Sequence, residues 1–358
     1  MNRSILRYSA LIIFVGATLI LGTVFVIISS NVAKANAQAG RSIPERQLDS
    51  GKVLSDTTVY LPSLLLEPTP TITISPTPTG PAWLSYVNLF RDLAEVLPLQ
   101  ENLDWSHGGY LHGRYMVKND YVGHNENPAN PWYTPEGLAA AQNGNVFVSS
   151  YLGTQDLLPI DYWMTAPFHA VAIIDPQLYL TGYGIYREDL GLWKVGATLD
   201  VGRGLGALPP AIGYPLIYPK PDSFTWLYRY NGGEFPDPLT SCAGYHAPTG
   251  PPIIVQIGNG DRVPDLLSHS VLRNGNVLDS CIFDETSYSN PDPSTESIGR
   301  IILNNRDAIV IMPRDPLGPG NEYSVQIELS DQNISWSFST SSTTDDLDDQ
   351  PDHQFLIH

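Results

Sequence analysis

Two histidines stand where this chain could do chemistry. His169 lies in Asp161–Pro176, Asp-Tyr-Trp-Met-Thr-Ala-Pro-Phe-His-Ala-Val-Ala-Ile-Ile-Asp-Pro. Ile160, Trp163 and Met164 fall at i, i+3, i+4 and form one apolar helical face. Pro167 has no N–H for a helix ladder and pushes Ala166 out of the α region. The spacing therefore predicts a helix end, a break, an imidazole, and a strand over Val171–Ile174 closed by Asp175-Pro176. A histidine at such a junction can point into a cleft. Its companion is His124, in Asn119-Asp120-Tyr121-Val122-Gly123-His124-Asn125-Glu126. With a carboxylate in hydrogen-bond reach an imidazole can serve as a general base.

Other chemistry finds less support. Ser106, Ser149, Ser150 and Thr165 are available hydroxyls, but none sits in a Gly-x-Ser-x-Gly turn. No phosphate loop, dinucleotide fingerprint, His-Glu-x-x-His or Cys-x-x-Cys occurs. His112 reads as a packed residue of a helix face with a hydrogen-bond partner. His107, His246 and His269 have no companions.

The elements around the two histidines can be read from periodicity. Tyr86, Leu89, Phe90, Leu93 and Leu97 follow helical spacing from about Ala82 to Pro98. Asp104 can cap a second helix reaching about Lys118, with Trp105, His112 and Met116 along one side. Its Gly108 and Gly109 lower helix propensity and leave room for close packing. Glu136–Gln142 is a third helical piece, and Asn145–Val148 is a short strand or a lead into the next helix. Leu180–Arg187 and Leu192–Val201 flank Glu188-Asp189-Leu190-Gly191 as a hairpin.

In this order the residues resemble the short bacterial form of the CAP superfamily, the cysteine-rich secretory (SCP-like), venom-antigen and pathogenesis-related proteins. The matching residues are Asn88 and Arg91, then His112, Met116, Tyr121, His124, Trp163, Thr165, Pro167 and His169, with Thr181-Gly182-Tyr183-Gly184 as the family's glycine strand. The resemblance covers roughly 84–201. It implies an α/β/α sandwich with His124 and His169 in one central cleft, which in some members holds a divalent metal. Here Gly144 and Ala166 occupy the positions of the family's two glutamates. Glu126, Glu136 and Asp161 are the substitutes, and Trp163 the aromatic neighbour. With His124 and His169 as its only family ligands, a metal such as zinc is one or two donors short of a stable site. No cofactor is required. The resemblance thus favours a non-enzymatic binding module taking a small apolar ligand, a wall fragment or a metal. The other class is a metal- or histidine-dependent hydrolase of extracellular peptide or wall substrates.

The rest of the chain places this domain outside the cell. Its 358 residues carry 37 Asp+Glu against 19 Lys+Arg, a net charge of −18 that opposes binding to nucleic-acid backbones or anionic membranes. Residues 1–37 hold Arg3, Arg7 and an apolar run over Ala10–Ile28, a signal peptide or a membrane anchor. Any contact with a membrane is through that segment. Residues 38–81 form a Pro/Thr-rich linker. The CAP-like domain is expected at 82–201, a connector at 202–248, and an immunoglobulin-like β-sandwich of bacterial surface type at 249–340. A disordered acidic tail is expected at 341–358. The fold class expected is thus α/β, followed by an all-β domain. Cys242 and Cys281 are the only cysteines and should pair once export has exposed them to oxidant.

Overall fold

The structure is a computed structural model that describes residues 80–342 and 355–358. The expected leader or anchor at 1–37 lies outside the described residues, as does all but the end of the linker at 38–81. No helix among the described residues is long and apolar enough to cross a membrane. The chain is a mixed α/β protein.

The first half alternates helices and strands. Helix α1 (Ala82–Asp92), strand β1 (Gln100–Glu101), helices α2 (Leu103–Asn119) and α3 (Pro135–Asn143) and strand β2 (Gly144–Ser149) come first. Helices α4 (Leu158–Thr165) and α5 (Pro167–Ile173) follow, then strands β3 (Leu180–Thr181), β4 (Tyr183–Arg187) and β5 (Val195–Asp200). β2, β5 and β4 form an antiparallel sheet, with β4 and β5 joined as the expected hairpin. Alternation along β2 divides the packing. Val146 and Val148 meet Met116 of α2 on one face, while Phe147 joins the residues of α1, α4 and α5 on the other. The glycines of α2 are space for the sheet: a Cβ on Gly109 would lie 2.8 Å from the Gly184 nitrogen.

Three expectations for this half are corrected. The helix expected to run to about Pro98 ends at Asp92, so Leu93 and Leu97 lie in the loop after it. The cap of α2 is Asn102, whose side chain accepts from Asp104 N and Trp105 N, so Asp104 lies inside the first turn. The run after Pro167 is a helix, not a strand. Ala166 is extended and breaks α4, but Pro167 then starts α5 at the position where its missing N–H costs nothing. Val171–Ile174 is buried on every side, and a short all-apolar run carries no periodicity that separates strand from helix.

Arg91 ties these elements together. Its guanidinium, fully buried, donates to the carbonyls of Leu97, Ile173, Asp175 and Leu178. Asn88 exchanges two hydrogen bonds with the backbone of Leu99. The Asn-x-x-Arg spacing on α1 thus closes the loop after α1 and pins the end of α5. Burial lowers the Arg91 pKa to about 10, against the nearby Asp175 carboxylate.

The second half is built of strands with one helix. β6 (Leu216–Tyr218), β7 (Phe224–Thr225), β8 (Ile253–Gln256), β9 (Leu266–Arg273), β10 (Asn276–Leu278) and β11 (Ser280–Phe283) precede α6 (Pro293–Asn304). β12 (Ala308–Pro313), β13 (Glu322–Leu329), β14 (Asn333–Thr340) and β15 (Phe355–Ile357) follow. One sheet runs β11-β12-β8-β6 and another β10-β9-β13-β14-β7. Ile253, Val255, Ile309 and Ile311 face the second of these sheets, whereas Ile254, Val310 and Met312 join the core of the first half. The apolar interior therefore continues across the expected boundary, and the connector contributes β6 and β7. The Asn274-Gly275 turn has both residues at positive φ, as a tight hairpin requires. Cys242 and Cys281 are disulfide-bonded, tying the connector to β11.

The segment expected to end the chain as disordered acidic tail contains strand β15. It pairs antiparallel with the free edge of β2, giving the sheet order β15-β2-β5-β4. Phe355, Leu356 and Ile357 supply the apolar residues that a purely acidic segment would lack.

Candidate functional site

α5 carries His169 into the interior. Its Nδ1–H donates to Glu234 Oε1 at 2.8 Å, and the same oxygen accepts the backbone N–H groups of Phe168 (2.8 Å) and His169 (3.2 Å). Glu234 thus caps the start of α5 and aims its imidazole in one contact. The carboxylate is fully buried and its Oε2 has no hydrogen-bond partner among the described residues. Burial raises the Glu234 pKa, opposed by the hydrogen bond and charge of His169. With Nδ1 committed, Nε2 is the atom of His169 left to meet a ligand.

His124 follows Gly123 in the loop after α2. Its Nδ1–H donates to the Ala141 carbonyl at 2.6 Å, at the end of α3. Burial is the main cause of its lowered pKa, and the positive charges that His169 and His112 would carry add to it. A third imidazole joins them. The His358 ring lies 4.9 Å from that of His124 and stacks on Phe235 at 4.4 Å. Burial first, then His124 and His169, push its pKa down to about 4. At neutral pH His124 and His358 are uncharged. The group is therefore two neutral imidazoles, His124 and His358, beside the buried His169–Glu234 pair and among aromatic rings.

The carboxylates expected beside His124 and His169 go elsewhere. Glu126 binds His112 Nδ1 at 2.9 Å with one oxygen and Thr134 N at 3.0 Å with the other. His112, fully buried, also meets the Gly123 carbonyl at 2.9 Å, so it is the packed helix-face residue its spacing implied. Glu136 is exposed on the first turn of α3. Asp161 accepts from Tyr86 of α1 at 2.5 Å. Trp163 is fully buried core, with its indole donating to the Val146 carbonyl. Among the described residues no group of three or more His, Cys, Asp or Glu side chains is arranged to hold a metal ion. Neither of the two potential metal ligands, His124 and His169, gains a third there.

Glu234 is the residue that the sequence reading missed. It is the only glutamate between Glu188 and Glu285, and it stands between Gly232-Gly233 and Phe235-Pro236 in the presumed connector. A lone glutamate in a turn-rich, aromatic stretch is the one signal it leaves. Compared with known proteins, the sequence matches no family model and no curated protein.

Proposed function

We propose that this chain is an exported surface protein of CAP type, an α/β/α sandwich followed by an immunoglobulin-like β-sandwich. In this reading the cleft around His124 and His169 binds a small apolar ligand or a wall fragment without turning it over. The supporting observation is the way Glu234 holds His169. All three of its hydrogen bonds fix the position of α5 and the ring, which is a fixed, desolvated polar contact among aromatics, the usual make-up of a ligand site. Candidate nucleophiles are occupied elsewhere. Ser106 donates to Glu101, Ser149 pairs with Thr154, and Thr165 donates to the Tyr162 carbonyl. Contact with a membrane is assigned to the N-terminal apolar segment alone.

The hydrolase reading draws on the same pair, since an imidazole with a carboxylate at 2.8 Å is the arrangement a general base needs. Thermal melting with a medium-chain fatty acid, a muropeptide and zinc chloride separates the two. One of the first two should raise Tm in the wild type and not in His124→Ala or His169→Ala, with no product formed from peptide or wall substrates. Turnover that disappears in His169→Ala would replace binding with catalysis.

A further inference from the structure

Strand β15 has hydrogen bonds on both of its edges. Towards β2, Val146 and His358 exchange a pair of N–H···O bonds of 3.1 Å each, and Phe355, Leu356 and Ile357 register with Ser149, Val148 and Phe147. Towards the other side, Ile357 N donates to the Gly233 carbonyl at 3.0 Å and Phe235 N to the Ile357 carbonyl at 3.2 Å. The segment therefore lies in a slot between a sheet edge and the Gly233–Phe235 backbone. Side-chain recognition is graded along it. Phe355 packs on Tyr162 and Phe147, with ring centroids 4.8 and 5.9 Å apart. Ile357 is 2% exposed, while Leu356 between them is 38% exposed. His358 fills the space between Phe235 and His124. Gly233 has φ +85°, and a Cβ there would come within 3.1 Å of the Phe355 carbonyl oxygen.

These features are those of peptide capture by strand addition. Main-chain bonds give affinity and alternate side chains give selectivity. β2 is paired with β5 along its whole length, so β15 takes only the opposite edge of β2 and no bond of the β2–β5 ladder runs through it. In sequence, β15 is separated from β14 by residues 341–354. We propose that the slot between β2 and Gly233–Phe235 is a binding site for extended peptides of the pattern aromatic, any, branched aliphatic, aromatic or imidazole. Phe355–His358 is the ligand the chain itself supplies. Docked, it covers His124 with its backbone and ring. Displaced, it uncovers His124 and the His169–Glu234 pair. The inference rests on the backbone pairing of β15 and stands or falls apart from the small-ligand reading.

The test uses the full chain with Phe355→Ser and Ile357→Asp, which empties the slot, and an amidated synthetic peptide of residues 350–358. A tethered ligand competes at an effective concentration of about 1 mM. Against a Kd on the order of 10 µM, the peptide should bind the variant roughly 100-fold more tightly than it binds the wild type. A peptide with Ile357→Asp should not bind, and one with Leu356→Ser should. A variant that melts like the wild type but shows no saturable binding, or binds the Ile357→Asp peptide equally, overturns the proposal. Should the variant not fold, hydrogen exchange on the wild type decides. The Val146, Ile357 and His358 amides should exchange by local opening, faster than the amides of β5. Exchange of both sets only through global unfolding would make β15 an integral strand and overturn the proposal.

Discussion

Two buried imidazole–carboxylate pairs, His112–Glu126 and His169–Glu234, differ in what is left over. The His112–Glu126 pair is local, 14 residues apart, and closed: both ring nitrogens and both carboxylate oxygens have partners. The His169–Glu234 pair is 65 residues apart and open. One carboxylate oxygen is unpartnered, and the imidazole nitrogen opposite Glu234 makes no hydrogen bond among the described residues. A buried polar pair that satisfies all its atoms specifies structure. One that spans distant segments and leaves an atom free holds that atom ready for something else. In the proposed reading the same amino-acid types carry a packing role in one place and a binding role in the other, and the observed difference lies in the count of satisfied atoms.

Substitution should separate them. Glu126→Ala leaves the buried His112 Nδ1 without its partner and the Thr134 N–H without an acceptor, and should cost about 3 kcal/mol of stability. In chemical denaturation this is a lowered midpoint with an unchanged slope, and any ligand-induced rise in Tm should persist. Glu234→Ala should cost a similar amount, about 3 kcal/mol, because it leaves the His169 ring and the buried N–H groups of Phe168 and His169 without their acceptor. It should also abolish the ligand-induced rise, whereas Glu234→Gln retains an acceptor for His169 and recovers most of both. Equal retention of the ligand response in the two alanine variants would erase the distinction.

Acid should affect the open side. His124 and His358 titrate lower in the folded chain than the ordinary histidine value near 6.5. Below that value the unfolded or detached state binds more protons, so their contribution is complete above about pH 6.5 and is lost as pH falls. For His358 the loss runs down to about 4. The groups facing it are His124, His169 and Phe235, and Glu234 lies behind His169. Glu234, raised by burial, acts in the opposite sense and favours the folded chain when protonated. Hydrogen exchange at the Ile357 amide should therefore quicken between pH 7 and pH 5, after correction for intrinsic rates. The smallest effect belongs to Glu136, which is exposed. Glu136→Ala should move stability by no more than about 0.5 kcal/mol and leave ligand binding alone.

The local parts of this arrangement were legible in the sequence. The start of α1, the room left by the glycines of α2 and the β4–β5 hairpin follow from periodicity and turn chemistry, and 249–340 is strand-rich as expected. What was not legible depends on distance or on composition that misleads. Glu234 reaches His169 from a segment that shows no regular pattern. β15 follows an acidic stretch that hides three apolar residues. α6 begins at Asp292-Pro293, a capping pair whose side chain accepts from Thr295 N, within a polar stretch that reads as loop. α5 was misread as a strand because a run buried on all sides has no periodicity to read.

The central claim is that His124 and His169 meet the ligand while His112 does not. Nitrogen-15 spectra of the histidine side chains, recorded with the fatty acid or muropeptide that raises Tm, test it directly. The Nε2 resonances of His169 and His124 should shift with saturation, and both nitrogens of His112 should stay in place. Shifts confined to His112, or none at the other two despite saturable binding, would contradict it.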